Sequence, residues 1–338
     1  MLYYQKTQLC ILGLFFLISS CGNDNNPSQV ESNILSSSKE PISSSSSSIP
    51  ASSSSSISDY YSSSLATSSS SSSIETNSNA LIINHNHISL ESIPESWIEK
   101  AIDSLQIAYG HTSHGSQLLA GMRYLENTNG APYLYGNTAG IQIASKPFEG
   151  PADFDLGKPD RTSWEEATRK YLDIYPEVNV VMWAWCIGVT TATSEDINTY
   201  LNLMDSLEKD YPHVQFVYMT GHLDGTGPNG NLHLRNEQIR DFVIKNNKIL
   251  YDFADIESFN PDGQSYLEHF ANDNCDYYAV QEDGSKGSIL GNWCVEWQEA
   301  NPGKWFECPT AHSKALNGNL KAYAAWYLWA RLAGWNGK

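Results

Sequence analysis

The chain is poor in positive charge. Twenty Lys and Arg stand against 38 Asp and Glu in 338 residues, a formal net charge of −18. A surface biased this way repels a phosphate backbone, so a nucleic acid is excluded as the partner. Long apolar runs are scarce too. The run Leu9 to Ile18 is well short of the roughly 20 residues that a spanning helix needs. Only six cysteines occur, none in a C-x-x-C pair, and there is no H-E-x-x-H. The common zinc patterns are therefore absent.

What is present falls into three parts. Residues 1–21 carry Lys6, the short apolar run and then small residues ahead of Cys21, the layout of a signal peptide. The stretch "ISSC", Ile18 to Cys21, resembles the bacterial lipobox, whose cysteine becomes a lipidated N-terminus. An ordinary signal peptide cut nearby is the plainer alternative. With Gly22 following, the lipoprotein resemblance implies export and an outer-membrane or cell-surface anchor through Cys21. Residues 22–79 are dominated by serine, with unbroken runs at 43–48, 52–56 and 68–73. Such a segment cannot bury enough apolar surface to offset its ordering entropy, so a flexible tether is expected. It resembles the linkers of secreted polysaccharide-degrading enzymes. Residues 80–338 are long enough for one sizeable core. Their four cysteines permit two disulfides in three pairings, and Cys275 with Cys294 is the first choice because both lie in the loop-rich part.

Periodicity places the elements. Ser96 and Glu99 fit a capping box opening a helix to Ser104. "LQIAY" (105–109) reads as a buried strand, followed by a turn and a helix from Gly115 to about Glu126. "VNVVMWAWC" (178–186) is a continuous, β-branched and aromatic run, too apolar for an exposed edge. Ile197, Tyr200, Leu201, Met204 and Leu207 keep helical spacing. "VQFVYMT" (214–220) and "KILYDFADI" (248–256) are further strands, with a helix carrying Ile239, Phe242 and Val243 between them. "LKAYAAWYLWARLAG" (320–334) closes the chain as a helix. Alternation of strand and helix predicts a parallel sheet covered on both faces, with its crevice beyond the carboxyl ends of the strands. Reactive side chains follow those ends: His111, Thr112, Ser113 and His114; Cys186 and Thr190; His222 and Asp224; Asp255.

"AYGHTSHGSQ" (108–117) puts Ser113 on a strand-to-helix turn, and "CPTAHS" (308–313) puts His312 just before the last helix. Early Ser, late His and α/β layers resemble the SGNH, or GDSL-like, hydrolase superfamily from Leu105 onward. That resemblance implies a three-layer flavodoxin-like α/β fold and a serine esterase needing neither cofactor nor metal. Ser113 would be the nucleophile and His312 its base. The sequence departs from the family pattern: "GHTSHG" replaces Gly-Asp-Ser, so Thr112 competes with Ser113. Pro309 stands where the family has Asp, leaving Glu307 or Asp255 to orient His312. "CIGVT" lacks the family's Asn, leaving Asn231 or His222 as side-chain donors. Backbone N–H groups around His114 and Gly115 would hold the oxyanion, about 3 kcal/mol per donor. Trp183, Trp185 and Trp293 are candidates to stack on sugars. With the tether, these features imply deacylation, by default deacetylation, of a polysaccharide or oligosaccharide at the cell surface.

Other readings compete. Ser113 could be a simple helix cap. Of His111 and His114, one structural and one functional is expected. His111, His114, His222 and Asp224 could form a metallohydrolase site, though not in H-x-H or H-E-x-x-H spacing. Cys186 reads first as a buried strand-end thiol or half of a disulfide, and second as a nucleophile. "NHNH" (84–87) reads as a polar lead-in, and Asp252, Asp255 and Glu257 as a solvated rim. A non-catalytic carbohydrate-binding or adhesin domain on the same fold is the remaining alternative.

Overall fold

The computed structural model describes residues 79–136 and 138–338. The expected signal peptide, lipid anchor and serine tether lie outside the described residues, Asn79 apart.

Six strands form one all-parallel sheet: β1 (Leu81–Ile83), β2 (Gln106–Gly110), β3 (Gln142–Ser145), β4 (Val180–Trp183), β5 (Gln215–Met219) and β6 (Ile249–Tyr251). Their order is β1-β6-β5-β4-β2-β3. Ile107 sits opposite Val180, and Val217 opposite Ile249. All four residues of β4 are buried, which explains its unbroken apolar run: helices cover both of its faces.

The helices are α1 (Glu95–Ser104), α2 (Ser116–Asn129), α3 (Ser163–Ile174), α4 (Ser194–Asp210), α5 (Asn231–Asn246), α6 (Phe253–Ser258), α7 (Trp293–Ala300) and α8 (Ala315–Leu332). One layer packs α1, α2, α6 and α7 around α8, and the other packs α3, α4 and α5 side by side. The arrangement is the expected three-layer, flavodoxin-like α/β fold. Helix α8 is its middle beam, with 15 of 18 residues buried. It approaches α2 so closely that a Cβ on Gly121 would lie 2.0 Å from the Gly318 carbonyl oxygen.

Outside the main sheet, β7 (Asp276–Val280) and β8 (Lys286–Asn292) make an antiparallel hairpin leading into α7. The expected disulfide, Cys275–Cys294, ties the two together, with Cα atoms 5.7 Å apart. Cys186 and Cys308 are free thiols, so the second permitted bridge is not formed.

Local signals diverge from the sequence reading in two places. Pro94 is the N-cap of α1, so Ser96 and Glu99 lie inside the helix and form no box. Proline suits that boundary because it lacks the N–H that a helix start leaves unpaired. A reciprocal box does open α4, between Thr193 and Asp196. The stretch 248–256 is strand only as far as Tyr251. The Asp252 carboxylate then accepts the Asp255 N–H and starts α6.

Candidate functional site

The chain steps from β2 outward to β3, then back past β2 to β4. That reversal opens a crevice between the ends of β2 and β4. The turn "HTSHG" leaves β2 there, and Cys186 lies just past β4. Gly115 makes the approach possible. A Cβ on it would lie 2.5 Å from His111 Cβ and 2.7 Å from both Ala184 Cβ and the Tyr109 hydroxyl.

The turn delivers His114 onto the thiol. His114 Nδ1 is 3.1 Å from Cys186 Sγ, and His114 Nε2 is 2.9 Å from Asp273 Oδ2. A carboxylate only accepts, so Nε2 carries the proton and the Nδ1 lone pair faces the thiol. Thiol, imidazole and carboxylate thus stand in one hydrogen-bonded line. The Ser113 hydroxyl is 3.3 Å from the same sulfur. Among the described residues, the N–H groups of Ser113, His114, Gly115, Cys186 and Ile187 donate no hydrogen bond, so they are free to meet an oxyanion.

Burial, opposed by the hydrogen bond to Asp273, lowers the His114 pKa to about 4; nearby His222 and His312 add to the lowering. At neutral pH the ring is therefore neutral and able to take a proton. Burial alone would raise Asp273, but the His114 hydrogen bond and the neighbouring His222, His114 and Lys321 hold it below the ordinary range. Asp273 is fixed at both ends of its backbone. Its N–H donates to Leu223 O at 3.1 Å, and its carbonyl accepts from Ser313 Oγ at 2.6 Å.

Three imidazoles form a stack. His222 lies on one ring face of His114 at 3.6 Å and 4°, and His312 lies 4.7 Å from it at 19°. His222 Nδ1 donates to Leu223 O, which leaves a buried Nε2 without a partner. Ligand atoms of His114, His222 and Asp273 lie within 4.8 Å of one another, close enough to consider a cation. The stacking weighs against one. A ligand imidazole holds its metal along the in-plane lone pair, and two nearly parallel rings face to face do not converge on one point.

The expected site residues scatter around this centre. Ser113, His114, Gly115 and His222 are in it, and His312 is beside it. Ser113 makes no hydrogen bond to His312; its partner is the sulfur. Ser113 is not the helix cap either, since α2 opens on Gly115 without a side-chain cap. His111 is locked into the scaffold through Thr112 O and Ser145 Oγ, and Thr112 donates to Asp155. Glu307 is exposed, and Asp255 pairs with His85 at 2.5 Å, so neither orients His312. Asp224 accepts from Thr190 and Thr226, and Asn231 donates to the carbonyls of Thr190 and Ala192. Both are occupied in loop structure. Trp183, Trp185 and Trp293 are all buried core residues rather than an open sugar platform, although Trp183 contributes to the wall of a cavity. Asp252 and Glu257 are interior, not a solvated rim.

Cavities open beside the ends of the strands. One of about 340 Å³ lies beside Asp252, Asp255 and Arg240, where Arg240 is already paired with Asp252 and Glu237. A second, of about 210 Å³, opens at His111, Lys146, Phe148, Phe154 and Trp183, next to the β2 and β4 ends. Neither is lined by Cys186, His114 or Asp273; Cys186 and His222 instead line a separate narrow cleft with Trp185, Thr190 and Leu232. No protein-family model matches the chain, and no curated protein is significantly similar to it.

Proposed function

We propose that the domain is a carboxylic-ester hydrolase that works through a thiol, with Cys186 as nucleophile, His114 as base and Asp273 as the orienting carboxylate. The single observation that carries this reading is the unbroken line Cys186 Sγ, His114, Asp273 at 3.1 and 2.9 Å. His114 Nδ1 takes the thiol proton as sulfur attacks the ester carbonyl. The tetrahedral oxyanion collapses, the C–O bond breaks, and the alcohol leaves with the proton from His114. Water, deprotonated by the same nitrogen, then cleaves the thioester to acid and free thiol. Ser113, 3.3 Å from the sulfur, solvates it and is not itself the acyl carrier. The substrate class stays an acylated, by default acetylated, poly- or oligosaccharide, on the strength of the serine tether and the lipobox-like leader, which would place the enzyme at the cell surface.

p-Nitrophenyl acetate turnover tests the assignment. Cys186→Ala and His114→Gln should each lower kcat by a factor on the order of 10³ or more, while Ser113→Ala should stay within about tenfold. Turnover unchanged in Cys186→Ala but lost in Ser113→Ala would restore the serine as nucleophile. The proximity of His114, His222 and Asp273 is the one observation that favours a metallohydrolase instead. Loss of activity on chelation, restored by added metal, would establish that reading.

A further inference from the structure

We propose that a buried cluster of Lys321, Glu257 and Gln117 is a positioning device that sets the three stacked imidazoles and Asp273 in register. The inference rests on the thiol reading of the site. Lys321 projects from α8 and is wholly buried. Its Nζ donates to Glu257 Oε1 at 2.5 Å and to Gln117 Oε1, and it lies 4.0 Å from the centre of the Phe253 ring.

Each partner of the lysine grips one segment of the site. Gln117 belongs to the first turn of α2, and its own N–H donates to His114 O at 3.1 Å. Its side-chain Nε2 donates to Ala311 O at 2.5 Å, one residue before His312. Glu257 uses its second oxygen, Oε2, to accept the Leu223 N–H at 2.8 Å. The carbonyl of that same Leu223 accepts from both His222 Nδ1 and the Asp273 N–H. One ammonium thus ties together the segments that carry His114, His222, His312 and Asp273, although 159 positions separate His114 from Asp273.

A lysine–glutamate pair taken fully out of water is a poor device for stability alone, because desolvation offsets most of its attraction and an apolar pair of like volume would serve the core as well. What an apolar pair cannot do is hold polar groups on three segments at fixed distances. A site that depends on sub-ångström placement needs that.

The test uses the full chain and two readouts: steady-state turnover of p-nitrophenyl acetate, and alkylation of Cys186 by iodoacetamide at neutral pH, located by peptide mapping so that Cys308 is counted separately. The apolar double variant E257L/K321M leaves no charge stranded. It should melt cooperatively, lose kcat by about 10- to 100-fold with KM within about threefold, and alkylate at Cys186 correspondingly more slowly. E257Q/K321M returns an acceptor for the Leu223 N–H and should recover part of both losses. Should the apolar pair fail to fold, Gln117→Met, which keeps the ion pair, is read in the same way. A folded E257L/K321M, or Q117M in its place, with parental kcat and parental alkylation overturns the proposal. Parental turnover in Cys186→Ala would instead fell the thiol reading, while the alkylation rate would still report on the register.

Discussion

His111 and His114 occupy the same turn and differ in what their nitrogens meet. His111 is saturated by the protein, through Thr112 O and Ser145 Oγ. His114 turns one nitrogen to a carboxylate and the other to a thiol. Burial lowers both pKa values to about 4 from an unfolded value of 6.5. The unfolded chain therefore takes up protons first on acidification. Stability from these rings is complete above pH 6.5 and drains away as the pH falls toward 4, by up to about 3 kcal/mol each. Urea unfolding at pH 7.5 and 4.5 should show this loss, and His111→Gln should flatten it; equal losses in the two proteins would refute the assignment. The acid limb of kcat/KM should likewise lie below pH 5. At this scale the turn was legible, because Ser113 and His114 crowd into a few positions after a strand. Asp273 was not, since nothing in "ANDNCDY" reveals what its loop faces. Nor was the burial of Lys321, because a lone lysine inside "LKAYAAWYLW" could as well extend its ammonium to solvent.

Hairpin β7–β8 and helix α7 form a lobe outside the main sheet, and the disulfide fastens that lobe two residues from Asp273. Closing a loop of 19 residues stabilises by about 3 kcal/mol in the chain-entropy picture. Cys294→Ala should lower Tm and also depress kcat, because the loop presenting the carboxylate loses its tie. A variant with reduced Tm but unaltered kcat would show that Asp273 is held by Leu223 and Ser313 alone. Elements with long regular periods, such as α4 and β4, could be read directly. Those decided by one side chain could not: Asp252 converts an apolar run from strand to helix, and Pro94 starts α1 two residues ahead of Ser96.

Alternation of strands and helices was enough to give the layers of the whole molecule, but not the edge strand. β1 is three residues long and leans on β6, with Ile83 fully buried. A chain beginning at Ala80 should melt like the parent. One beginning at Asn84 should lose roughly 2–4 kcal/mol, the cost of emptying a core position and baring β6. Equal unfolding curves for the two would show that the strand is dispensable. Helix α8 has a different kind of importance. It follows every strand of the main sheet and is the beam against which the site is braced, through Lys321. Thiol, imidazole and carboxylate all precede α8 in the sequence, yet the ammonium that links Gln117 to Glu257 arrives only with that helix. On the thiol reading, competence would come only once α8 has docked, however much of the domain ahead of it has already folded.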